Sequence, residues 1–192
     1  MSRFPGAHFL VSAAAPGQFP ADIGREVAFA GRSNAGKSSA INAISQRHGL
    51  ARTSKSPGRT RLLNFFQLAP AKRLIDLPGY GYASAPAAER RAWLPLLDAL
   101  RERVSLAGLF VIVDARRGLT SGDEGLLEWL QPEQRVHVLL SKADKLNRGE
   151  AAAALRAASQ QLAGRATAQL FSALRGIGVG EAQDTLAAWL ET

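Results

Sequence analysis

The chain has 192 residues, enough for one domain with a full apolar core and too few for a second folded domain of ordinary size. It contains no cysteine, which excludes a disulfide framework and any thiolate metal site and suits a reducing cytoplasm. With 24 Lys+Arg against 16 Asp+Glu the formal net charge is +8, which favours a polyanionic partner; no window approaches the roughly 18 consecutive apolar residues of a membrane span.

The first 20 residues, MSRFPGAHFLVSAAAPGQFP, carry an early Arg3 and some apolar character, but Pro5, Gly6 and His8 interrupt a run too short for a secretory leader. They are expected to form an N-terminal extension, ordered in part, ahead of a domain over 21–192. REVAFA (25–30) predicts a strand and the pattern over 37–46 a helix. Between them GRSNAGKSS (31–39) matches G-x-x-x-x-G-K-[ST] at Gly31, Gly36, Lys37 and Ser38. Such a loop turns its backbone N–H groups around a β-phosphate, and its glycines allow dihedrals and approaches that a Cβ blocks. Lys37 supplies a point charge to the β- and γ-phosphates, Ser38 a hydroxyl for magnesium, and the helix its positive end. A merely glycine-rich turn is the plain alternative, and the strand before and helix after argue against it.

Residues 47–60 lack apolar periodicity and contain Gly49, Pro57 and Gly58, which predicts a long surface loop. Arg47, His48, Arg52, Lys55 and Arg59 within it and Arg61 just after it crowd one stretch, either as a solvated loop or as a basic arm that meets phosphates. RLLNFFQL (61–68) and AKRLID (71–76) read as strands separated only by Ala69 and Pro70, too little for a crossover, so they should form an antiparallel hairpin. Asp76 then falls where a water of a magnesium ion is expected, and the Gly79 N–H where a γ-phosphate is. Tyr80 stands where many nucleotide switches carry a glutamine that aligns the attacking water.

Helices fit 87–104, 122–131, 149–163 and 179–190, alternating with strands at 108–114, 135–140 and 166–171. Trp93, Trp129 and Trp189 lie on these helices and are expected in the core. The fold class is α/β: a six-stranded, mostly parallel sheet with one antiparallel edge strand and helices on both faces. SKAD (141–144) follows one late strand. Asp144 there can accept from guanine N1–H and the 2-amino group together, whereas adenine would leave it desolvated and unpaired. The Lys142 stem can lie over the base, and FSAL (171–174) can offer the Ala173 N–H to the guanine 6-oxo group. Singly these could be a helix cap and a strand end; their order favours GTP over ATP.

GRSNAGKSS, SPGRTRLLNFF, DLPGYGYA, SKAD and FSAL together resemble the bacterial EngB (YihA/YsxC) family of translation-factor-related GTPases, from about residue 20 to the C-terminus. The resemblance implies a single P-loop (Ras-like) GTPase domain that takes GTP and GDP with magnesium, hydrolyses GTP slowly, and acts in assembly of the large ribosomal subunit. A family link to cell division and septation, a cytoplasmic location and a monomeric state are expected with it. It implies nucleotide contacts at Gly31, Arg32, Ser33, Asn34, Ala35, Gly36, Lys37 and Ser38 in the phosphate loop. Gly58, Arg59, Thr60, Arg61 and Leu62 would contribute from the first switch, with Thr60 a magnesium ligand beside Ser38. Asp76, Leu77, Pro78 and Gly79 would contribute from the second, and Ser141, Lys142, Ala143, Asp144, Phe171, Ser172 and Ala173 at the base. Lys37, Thr60 and Gly79 would carry the catalytic load, with no glutamine among them.

Two positions depart from the family pattern. Ser141 replaces the usual Thr or Asn, so the tether between loops is expected to weaken while Asp144 keeps guanine selectivity; Arg61 stands where glutamine is frequent, which nothing in the sequence explains. Asn34 resembles the potassium-binding asparagine of other phosphate loops, so potassium is a candidate second cofactor, a loop-internal hydrogen bond being the plain alternative. Two other classes fit parts of the chain. A small P-loop ATPase or kinase would need an adenine site and an acceptor pocket. An RNA-binding module with a vestigial nucleotide site would not need Lys37, Ser38, Thr60 and Asp76 intact.

Overall fold

The computed structural model describes residues 3–51, 62–79 and 87–191, with the side chains of 87–93 outside that description. The expectations for Gly58, Arg59, Thr60, Arg61 and Tyr80, and for most of the basic stretch after residue 51, therefore lie outside the described residues.

In chain order the elements are β1 (His8–Ala13), a 3-10 turn (Pro16–Gln18), β2 (Arg25–Gly31), α1 (Lys37–Ser45), β3 (Leu63–Ala69), β4 (Lys72–Asp76) and α2 (Ala87–Arg101). There follow β5 (Leu106–Asp114), α3 (Ser121–Trp129), β6 (Arg135–Ser141), a 3-10 turn (Ala143–Lys145), α4 (Arg148–Leu162), β7 (Thr167–Leu170) and α5 (Val179–Glu191). The strands form one sheet in the order β1-β3-β4-β2-β5-β6-β7. β4, β2, β5, β6 and β7 run parallel, as crossover helices require, and β3 and β4 form the expected hairpin.

The sheet has seven strands rather than six, and the reversed strand β3 is not at its edge. β1, inside the stretch read as an extension, pairs antiparallel with β3 through His8↔Gln67, Ser12↔Asn64 and Ala13↔Leu63. It escaped notice because an edge strand buries little and so carries weak alternation. Phe9 and Leu10 are exposed, and a register shift lies between Phe9 and Val11.

Alternation along the central strands divides two cores. Val27, Phe29, Leu74, Phe110 and Ile112 face α1 and α5, where Ile41, Ile44, Leu186, Trp189 and Leu190 pack. Ala28, Ala30, Ile75, Leu109, Val111 and Val113 face α2, α3 and α4, including Leu96, Leu100, Ala158 and Leu162. Phe29 stacks on Phe110 with centroids 4.9 Å apart, and Trp189 tilts over Phe110 at 5.0 Å. α2 ends at Arg101, earlier than the pattern suggested, because Arg103 turns inward to Glu26 at the opposite end of the sheet from the phosphate loop. Among the described residues no helix is long and apolar enough to cross a membrane.

Candidate nucleotide site

The C-terminal ends of the parallel strands converge on one edge, where a doubly wound sheet places its ligands. β2 ends at Gly31, and a Cβ there would sit 2.8 Å from the Ile112 carbonyl oxygen, so the strand can leave the sheet beside β5 only as glycine. The loop closes with Ala35 N–H donating to Arg32 O at 3.0 Å, and Gly36 enters α1 with φ 101°, a left-handed conformation that favours glycine. Lys37 and Ser38 are thereby set on the first turn of α1 with its unpaired N–H groups.

Lys37 Nζ forms an ion pair with Asp76 Oδ1 at the end of β4. Burial of Asp76, 5% exposed, pushes its carboxyl above its usual value, while Lys37 and the Asn64 side chain pull it back. Leu77 N–H donates to Phe29 O, and Gly79 comes to rest against the loop, its Cβ direction meeting Ser33 Cα at 3.4 Å. Leu77 and Pro78 are buried beneath that contact and Leu62 is half-buried.

The base-reading residues reach the same loop. Ser141 Oγ donates to Ala35 O, so the hydroxyl makes the tether by itself, without the methyl or amide of the usual residue. Lys142, in the left-handed region at φ 57°, donates from Nζ to Asn34 O at 2.6 Å and to Asp114 Oδ2 at 3.0 Å. Ala143 N–H donates to Phe171 O at 3.1 Å, and Asp144 Oδ1 accepts from Ser172 Oγ at 2.5 Å. That hydrogen bond above all holds the Asp144 carboxyl below its usual value, as an ionised acceptor. Ala173, half-buried, follows directly.

Three features escaped sequence reasoning. Asp114, at the end of β5, is gripped by Arg116 through Nε at 2.9 Å and Nη2 at 2.7 Å, which with Lys142 holds its carboxyl far below its usual value. An acidic residue closing a parallel strand next to the phosphate loop was the available signal. The Arg32–Ala35 segment also lines a cavity of about 250 Å³ with Asp114, Arg116, Arg117 and Lys142. Leu174, directly after Ala173, is 75% exposed.

Magnesium in phosphate sites takes one or two protein oxygens and completes its shell from phosphate and water. The Ser38 hydroxyl and Asp76 carboxylate are such oxygens. Among the described residues no three His, Cys, Asp or Glu gather into an all-protein cage. The donor set fits the ion. The Asn34 side chain is exposed.

Comparison with known proteins agrees with this geometry. The family model described as 50S ribosome-binding GTPase matches residues 26–142. The probable GTP-binding protein EngB of Aromatoleum aromaticum is 49% identical over 195 residues, covering 99% of this chain and 90% of that protein. Its counterpart in Thiobacillus denitrificans is 51% identical over 188 residues, covering 96% and 91%. A crystal structure of a probable GTP-binding protein engB superposes with TM-score 0.69 at 19% identity over 86% of this chain and 98% of that one. Era in complex with MgGDPNP and nucleotides 1506–1542 of 16S ribosomal RNA superposes with TM-score 0.65 at 21% identity over 87% and 57%. At such identities the superpositions speak for the fold.

Proposed function

The chain belongs to the EngB family of GTP-binding proteins, and from that premise we propose that it is a magnesium-dependent GTPase switch in assembly of the large ribosomal subunit. Its hydrolysis is slow unless stimulated, its location is the cytoplasm, its working state is the monomer, and the family link to cell division extends to it. Residues 21–192 are the GTPase domain, and residues 1–20 are an extension that adds β1 to its sheet. The observation that carries the reading is the joining of loops: Ser141 and Lys142 on Ala35 and Asn34, with Asp144 oriented by Ser172. One rigid edge thus offers a phosphate cradle and a guanine acceptor together.

Lys37 would exchange its Asp76 partner for the β- and γ-phosphate oxygens, and Gly79 N–H would meet the γ-phosphate. Ser38, Thr60 and, through water, Asp76 would hold magnesium, which when bound neutralises charge developing on the phosphates. Tyr80 lacks the amide that aligns water, so the missing help comes from a ribosomal group or from potassium on the Asn34 amide oxygen. Exchanging sodium for potassium should raise hydrolysis, and an unchanged rate with and without subunits removes the cation.

The +8 chain should be retained by purified large subunits when loaded with a non-hydrolysable GTP analogue and released when loaded with GDP. Retention should fall as salt rises, because phosphate contacts release counterions. Co-sedimentation reads both, and equal retention in the two nucleotide states would remove the switch.

A further inference from the structure

We propose that Asn64 is a positioning residue for the Asp76 carboxylate, and that Ser12, from the N-terminal strand, locks Asn64 into that role. Asn64 and Asp76 are directly opposed in the β3–β4 register, and Ser12 and Asn64 in the β1–β3 register. All three lie on the sheet face that carries α1, by alternation from Leu74, Phe66 and Ala13. The next two positions of β3 on that face, Phe66 and Leu68, are apolar core. An amide there needs a reason.

Its partners supply one. Ser12 Oγ donates to Asn64 Oδ1 at 2.6 Å, and the Asn64 side chain, directly opposite Asp76 across the ladder, pulls the Asp76 carboxyl downward. An ionised carboxylate only accepts, so with Oδ1 taken by the serine hydroxyl on one side, the Asn64 NH2 group is the end that can serve Asp76 on the other. The acceptor-only Asp76 sets which way the amide faces, and the Ser12 hydroxyl holds the amide there by its bond to Oδ1. A flipped amide would present oxygen to oxygen. Asp76 is 5% exposed, and its other partner is Lys37, which the proposed function shares with the nucleotide phosphates. Asn64 is the donor that stays when Lys37 turns away, and it holds the carboxylate in the orientation a magnesium-bound water needs. Groups that orient metal-binding ligands in this way are usually worth about 10- to 100-fold in metal affinity.

This inference rests on the magnesium reading of Asp76, and the test separates the two. Release of a fluorescent GDP analogue is followed across a magnesium titration and in excess EDTA. Wild type should release nucleotide more slowly as magnesium rises. Asn64→Leu should move the magnesium midpoint upward by about tenfold, with the EDTA rate unchanged. Ser12→Ala should move it in the same direction by less, and Ser12→Thr, which keeps the hydroxyl, should restore the wild-type midpoint. If wild type shows no magnesium dependence, the reading of Asp76 fails. If wild type responds and both Asn64→Leu and Ser12→Ala titrate like it, the positioning role is overturned. Should Asn64→Leu fail to fold, the Ser12 pair decides alone, since each of those variants changes one half-buried side chain on an edge strand.

Discussion

Ser141 reaches the Ala35 carbonyl with one hydroxyl, and Ser172 reaches Asp144 with another, so two serines set the distance between phosphate loop and base acceptor. Asp144→Asn keeps the shape and replaces an acceptor with a donor. Guanine nucleotide affinity should fall by about 10- to 100-fold, the equivalent of ~1.5–3 kcal/mol for hydrogen bonds to a charged group. Xanthosine nucleotides, with a 2-oxo group in place of the 2-amino group, should bind the variant more tightly than guanine nucleotides. Competition against a fluorescent GDP analogue measures both, and an unchanged guanine preference would sink the base assignment. Residues of this kind were legible in the sequence because phosphate and base geometry dictate their spacing. The contact of Asp114 with Lys142 was not, because it depends on which strand ends are neighbours: Asp114 pairs with Ser141 across β5 and β6, which brings Lys142 within reach.

At the scale of elements, β6 and β7 are joined by side chains as well as by the ladder. His137, 5% exposed, shares one ring nitrogen with Thr167 Oγ1 at 2.6 Å and the other with Gln169 Oε1 at 2.8 Å, edge-on to Phe110. Burial pushes its pKa down, so the folded chain binds a proton there less readily than the unfolded chain. The stability this contributes is complete above the ordinary histidine range and is lost as pH falls through it toward the depressed folded value. Unfolding free energy should therefore decline between about pH 7 and about pH 5. His137→Gln should flatten that decline; parallel urea titrations of both proteins at each pH give the comparison, and identical slopes would refute the assignment. Helices and parallel strands were readable from periodicity to within a few residues. β1 was not, since its only described strand partner, β3, begins 50 residues after it ends and no local pattern announces such a pairing.

Across the whole molecule, the end of the sheet remote from the nucleotide is closed by buried charge. Glu26, fully buried, accepts from Arg73 Nη1 at 2.6 Å, Arg103 Nε at 2.6 Å and Ser105 Oγ at 2.9 Å. The same arginines donate to the carbonyls of Pro20, Ala21 and Ile23, and Asp22 accepts from Val104 N–H and Ser105 N–H. One carboxylate therefore joins β2, β4, the α2–β5 turn and the segment that leads out of β1. Glu26→Gln would leave two buried guanidinium groups facing a neutral amide, and breaking a buried pair costs about 3–5 kcal/mol. Chemical denaturation should show a loss of that size, with nucleotide affinity unaffected at temperatures where the variant remains folded. Nothing in REVAFA marks Glu26 as buried, and only its convergence with Arg73 and Arg103 reveals it.

The packing of α5 imposes an order on synthesis. Val27 and Phe29, among the first core residues made, are covered by Leu186, Trp189 and Leu190, among the last. Phe4 and Ala7 join the same core, while Arg3 pairs with Asp184 and donates to Gln183 O at 3.3 Å. Emerging vectorially, the chain holds its central strand half-uncovered and its first residues without their partners until the final helix clears the exit tunnel. A polypeptide lacking Leu186, Trp189 and Leu190 would thus contain every nucleotide motif and still expose the apolar middle of its sheet to chaperones and proteases.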